Sequence, residues 1–100
     1  MMEDILNNKQ EEEIDSISEL TNFLDNEKRI KSWPAKKEKK QAVLLYLSTK
    51  FEKNHTYTEK EVNEIINDWH TFKDFFLLRR GLIEEKLLNR TWDGSQYWKD

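Results

Sequence analysis

The densest group of cations in the chain is "SWPAKKEKK", where Lys36, Lys37, Lys39 and Lys40 follow Trp33 and Pro34 directly. Four ammonium groups within five residues suit one kind of chemistry, the holding of an anion. A helix opened by Pro34 would add unpaired backbone N–H groups and a positive partial charge to the same place, an arrangement that a phosphate relieves and that lysines alone make worse. The same residues also fit a solvated face, or one neutralised by the chain's own acidic N-terminal arm.

A second group lies in "HTFKDFFLLRRGLIEE". At 100° per residue, Phe72, Phe75, Phe76, Leu78, Leu82 and Ile83 share one arc of a helix, and Arg79 falls inside it. Arg79 is therefore expected to be structural, paired with Glu61 or Glu64 of a preceding helix. Arg80 and Lys73 point away from that arc and are the candidates to face nucleic acid, although Asp74, Glu84 and Glu85 border the same side and repel phosphates. Arg90 and Lys99, in "NRTWDGSQYWK", complete the basic candidates.

Other chemistry is poorly represented. His55 and His70 have no second histidine at ligand spacing, and the chain contains no cysteine, so neither a metal site nor a disulfide is expected. Gly-rich phosphate loops and nucleophile elbows are absent, and Ser48 and Ser95 have no recognisable base. The reading is of a non-enzyme that needs no cofactor. No apolar run reaches the length of a membrane span, and the acidic start "MMEDILNN" is unlike a signal peptide, so a cytoplasmic protein without membrane contact is expected.

One hundred residues, 36% hydrophobic, 12% aromatic and 37% charged, with two Gly and one Pro, describe a single, mostly helical domain with one modest core. The net charge of −3 conceals an asymmetry. Residues 1–28 carry two lysines against nine carboxylates, whereas the rest carries 15 basic against 11 acidic side chains. An acidic arm thus precedes a basic body.

The elements that must position these groups follow from periodicity and caps. Residues 1–15 lack periodicity and are expected to form a disordered acidic arm, with one domain spanning 16–100. Ser16 and Glu19 have capping-box spacing, and Ile14, Ile17, Leu20 and Leu24 recur as the apolar side of a short helix. Trp33 and Pro34 should open the next helix, buried through Val43, Leu44, Leu47 and Phe51. Tyr57 suggests a very short strand. Thr58 to Glu61 is a second capping box, leading into Val62, Ile65, Ile66 and Trp69, and a further helix should run from about Phe72 to Glu85. Asp93-Gly94 then suits a two-residue type I′ turn of a β-hairpin, with Arg90 opposite Tyr97 and Trp92 opposite Ser95. Such a hairpin holds only if its aromatics pack on the helices, so Trp33, Trp69, Trp92, Tyr97 and Trp98 are assigned to packing and Gly94 to the turn.

The expected fold is α+β, mostly α: a winged-helix-like domain of three core helices and a C-terminal hairpin wing, preceded by the arm and the short helix. "FLDNEKRIKSWPAKKEKKQAVLLYLSTKFE", "YTEKEVNEII" and "FLLRRGLIEEKLLNRTWDGSQYW" are, moreover, similar to the bacterial family called domain of unknown function 2087, over residues 23–98. That family's members occur alone or behind a helix-turn-helix in transcriptional regulators, so the resemblance implies a transcription-linked role and no defined activity. Gly81 departs from the pattern, which has an acidic residue after the paired arginines, and is expected to weaken its helix by about 1 kcal/mol. Two functions are compatible with these features. One is duplex DNA binding through the basic helix start, the recognition helix and the wing. The other is a protein-interaction or homodimer module that pairs through residues 14–24.

Overall fold

The computed structural model describes residues 20–100. The expected acidic arm and the residues Ile14, Ser16, Ile17 and Glu19 of the expected N-terminal helix lie outside the described residues. Three helices and three short strands follow in the order α1 (Lys37–Ser48), β1 (Thr56–Tyr57), α2 (Glu59–Asp68), α3 (Phe75–Glu84), β2 (Asn89–Arg90) and β3 (Tyr97–Trp98). The domain is a small, mostly helical α+β unit. Its sheet has the order β1-β3-β2 and is antiparallel throughout.

Leu20 and Thr21 are helical, but Leu24 is not, contrary to the sequence expectation. The Asp25 carboxylate accepts hydrogen bonds from the amides of Glu27 and Arg29, at 2.9 and 2.8 Å, and turns the chain back so that Leu24 bridges Ile30. A short polar side chain that binds the backbone ahead of it stops a helix and starts a turn. These bonds, the Arg29 amide foremost, hold the Asp25 carboxyl below its ordinary range. Leu24 is buried in the domain's own core, and the partly buried Leu20 packs against that core.

Helix α1 begins at Lys37 with Lys36 as an N-cap that makes no side-chain bond, three residues later than a Pro34 start predicts. Pro34 is buried and Trp33 half-buried, so this pair seats the incoming chain on the body before the helix begins. The apolar stripe of α1 is as expected: Val43, Leu44, Leu47 and the following Phe51 are all buried. In α2 the capping box is complete, with the Glu61 amide on Thr58 Oγ1 at 3.2 Å and the Thr58 amide on Glu61 Oε1 at 3.0 Å. The Thr58 amide, more than its hydroxyl, holds the Glu61 carboxyl below its ordinary range.

Helix α3 starts at Phe75 rather than Phe72 because the preceding turn is built from other groups. Asp74 caps it, accepting from the Leu77 amide at 3.1 Å, and Lys73 adopts a left-handed φ of 56°. His70 is buried and spans this turn: Nε2 accepts from the Asp74 amide at 2.9 Å, which leaves Nδ1–H to donate to the Ile66 carbonyl at 2.6 Å. The imidazole thus ties the end of α2 to the start of α3. The helix then persists through Gly81 to Glu84. A Cβ at Gly81 would lie 3.0 Å from both methyl groups of Leu44, so the missing side chain lets α3 close on α1. That packing outweighs glycine's low helix propensity.

The hairpin keeps the expected register, Arg90 opposite Tyr97 and Asn89 opposite Trp98, but not the expected turn. Thr91 N–H reaches the Gln96 carbonyl at 3.0 Å and leaves a four-residue loop, 92–95, in which Gly94 N–H returns to the Thr91 carbonyl at 3.0 Å. Gly94 takes φ 73° and Asp93 does not take a positive φ, so the turn is not type I′. Side-chain bonds decide its shape: one Asp93 oxygen accepts from Thr91 Oγ1, Ser95 N and Ser95 Oγ. Without a two-residue turn Trp92 has no cross-strand partner in Ser95. It stands out of the loop, 92% exposed, whereas Tyr97 on the middle strand is 1% exposed.

The Thr91 hydroxyl, followed by the Ser95 amide and hydroxyl, holds the Asp93 carboxyl down from 3.8 to about 2. A carboxyl depressed by folding stabilises the native state above its unfolded value and ceases to do so as pH falls through the folded one. Asp93→Asn should therefore lower the thermal midpoint at neutral pH, and its gap from the wild type should close between about pH 4 and pH 2. A gap that is unchanged at pH 2 would contradict the role given to this carboxylate.

Candidate functional site

Two clefts flank the outer ridge of α3, and Arg80 and Glu84 line both. The first, between α3 and the hairpin, is a depression of about 220 Å³ with Phe76, Ile83 and Arg90 on its walls and Tyr97 beneath. The second, between α1 and α3, is about 290 Å³ and is lined by Trp33, Lys37, Lys40 and Gly81. Arg80 thus stands between Lys37 and Lys40 on one side and Arg90 on the other. Four cations from three elements share one side of the molecule.

The spacing on α1 explains the selection. Lys37, Lys40 and Leu44 fall at i, i+3 and i+7, one side of the helix, and Gly81 lets that side approach α3 closely enough to form a cleft. Lys40 Nζ lies 5.8 Å from the centre of the Trp33 ring. Lys36 and Lys39 lie outside both clefts.

Arg79 and Arg80 separate as the helical wheel requires. The Arg79 side chain is only 13% exposed, with its guanidinium 3.0 Å from Glu59 Oε1 and 2.6 Å from Asn63 Oδ1. It also lies 5.7 and 5.4 Å from the ring centres of Phe75 and Phe76. The helix it meets is the expected one but the acid is Glu59, because Glu61 is committed to the capping box. Arg80, 69% exposed, reaches Glu84 at 2.9 Å one turn along. Such an exposed pair contributes little and gives way readily to a stronger anion. Glu85, the other acid at the ridge, accepts from Gln41 Nε2 at 3.2 Å.

Two expected nucleic-acid contacts are elsewhere. Lys73 sits in the turn before α3 and lines a separate depression with His70 and Phe75. Lys99 turns inward and donates to the Ser48 carbonyl at 3.0 Å, closing the C-terminal end of α1. Among the residues assigned to packing, Trp33 and Trp69 are half-buried against the core, Trp98 is half-buried, and Trp92 is exposed.

No group of three or more His, Cys, Asp or Glu side chains among the described residues could hold a metal ion. His55 packs on Tyr57 with ring centres 4.3 Å apart and planes tilted by 56°, and both nitrogens of His70 are used in the turn. No helix among the described residues is long and apolar enough to cross a membrane.

A family model described as "Uncharacterized protein conserved in bacteria (DUF2087)" matches residues 29–99. The chain belongs to this bacterial family. No curated protein and no solved structure matches it. The DUF2087 span takes in all three helices, the whole sheet and both clefts. Within the DUF2087 domain two exposed aromatics escape the sequence reading, Trp92 and Phe76, the latter 57% exposed. Phe76 had a signal: it precedes Arg80 by four residues and Glu84 by eight, so it belongs to the outward stripe. Trp92 had none, because its exposure depends on the turn type.

Proposed function

We propose that this DUF2087 domain is a non-enzymatic, winged-helix-like module that binds nucleic acid in a transcription-linked role, with α3 and the hairpin against the duplex. The order helix, strand, helix, turn, helix, hairpin supports this reading, as does the pairing of β1 with the returning strand of the hairpin. The observation that carries it is the Arg80 ridge, which joins Lys37 and Lys40 to Arg90 along one side of the molecule. Phosphates on that side would replace Glu84 as the partner of Arg80.

The test is fluorescence anisotropy with a labelled duplex of random sequence over a range of salt. Affinity should fall steeply with salt, and the Arg80→Ala/Arg90→Ala double variant should bind more weakly, with a log–log salt slope smaller by about 2. No binding at low salt, or an unchanged slope in the double variant, would count against the reading.

A protein-contact reading draws on Phe76, more than half exposed in a cleft that also holds arginines, the residue types enriched at protein interfaces. It predicts an association that persists at high salt and does not require nucleic acid.

A further inference from the structure

The wing tip has a composition that phosphate contact does not explain. From Thr91 to Gln96 it carries no cation, one carboxylate and a tryptophan that is 92% exposed. A duplex backbone is gripped by lysine, arginine and N–H groups, and a carboxylate at the tip opposes it. An indole presents a broad apolar ring that any base can stack on without sequence preference.

The tip is also held in one shape. Thr91 Oγ1 donates to Asp93 Oδ1 at 2.7 Å and accepts from the amides of Ser95 and Gln96 at 3.1 and 3.2 Å, while Gly94 N–H closes the turn on the Thr91 carbonyl. The network fixes the backbone that carries Trp92, so a ligand has only the rotamer of the indole left to order. Reversing the chain requires Asp93, Gly94 and the hydroxyls, and Trp92 makes no contribution to it. Arg90, at the last paired position of the hairpin, brings Nη1 to 3.5 Å from where a Cβ on Gly94 would sit, and Arg80 lines the same cleft, so both cations are near enough to neutralise the backbone of a strand whose base reaches the tip.

We propose that Trp92 stacks on an unpaired base, so that the nucleic acid taken by this face is single-stranded or opened at the wing. The proposal rests on the nucleic-acid reading above and adds the kind of nucleic acid.

The test compares wild type, Trp92→Ala and Trp92→Phe for binding to a labelled oligothymidine single strand and to a continuous duplex at one low salt concentration. Trp92→Ala should weaken single-strand binding by about tenfold or more, and Trp92→Phe by much less, because a ring is retained. Duplex binding through Arg80 and Arg90 should be nearly unchanged in both, as should the thermal midpoint, since Trp92 is not part of the core. If Trp92→Ala binds the single strand as the wild type does while duplex binding still depends on Arg80, the stacking proposal falls and the nucleic-acid reading stands. If neither nucleic acid binds, both fall. A wild-type dimer that Trp92→Ala dissociates would make Trp92 a protein contact and overturn the proposal.

Discussion

Tyr97→Ala is expected to lower the unfolding free energy by about 3–5 kcal/mol, the largest single effect in the domain. Tyr97 is 1% exposed and sits on the middle strand, opposite Tyr57 on one side and Arg90 on the other. Tyr97 lines the cleft between α3 and the hairpin, so its loss leaves a cavity where the hairpin is attached. Domains of this size have total stabilities of roughly 5–15 kcal/mol, so the variant should be substantially unfolded in mild urea. Tyr97→Phe, which keeps the ring, should retain most of the stability. The check is urea denaturation followed by far-UV circular dichroism; a loss below about 1 kcal/mol for Tyr97→Ala would mean that the hairpin is not anchored through this residue.

Arg79→Ala should cost about 2–3 kcal/mol, whereas Arg80→Ala, one residue away, should stay within about 0.5 kcal/mol of wild type. Removing Arg79 leaves Asn63 and Glu59 without their charged donor and strips the guanidinium from the rings of Phe75 and Phe76. Arg79→Lys should restore only part of the loss, because an ammonium can meet Glu59 and Asn63 as the single Nη1 does but does not reproduce the planar group over the rings of Phe75 and Phe76. Arg80 exchanges only an exposed i,i+4 pair with Glu84 for water. Denaturation of the three variants reads the difference directly. A silent Arg79→Ala beside a destabilising Arg80→Ala would contradict the helix register.

These two arginines also mark how far the sequence could be read. Their opposite roles follow from a 100° wheel, but the partner of Arg79 does not: the sequence points to Glu61 or Glu64, whereas the capping box claims Glu61 and the partner is Glu59. The same division runs through the fold. Local rules locate the capping box, the stripe of Val43, Leu44 and Leu47, and the pairing of Arg90 with Tyr97, because each depends on residues a few positions apart or on a period. The misplaced features depend on competing side-chain bonds or distant contacts. Asp25 ends a helix that periodicity would continue to Leu24, and Asp93 with Thr91 replaces a type I′ turn and so exposes Trp92. Lys99 is drawn to a carbonyl 51 residues earlier in the chain. Gly81, weak by propensity, is held by Leu44 across a helix crossing that no local pattern announces. In the candidate site, Lys37, Lys40, Arg80 and Arg90 are all legible as cations, but their convergence on one ridge is visible only once α1 and α3 are packed.

The ridge itself is best tested by titrating ¹⁵N-labelled protein with a short duplex at low salt and following the amide and indole resonances. Shifts should concentrate at Lys37, Lys40, Arg80 and Arg90, with little change around Lys53, in the loop before β1, around Lys60, in the first turn of α2, or at the inward-facing Lys99. An absence of shifts, or shifts centred on Lys53 and Lys60, would contradict the assignment of this face to nucleic acid.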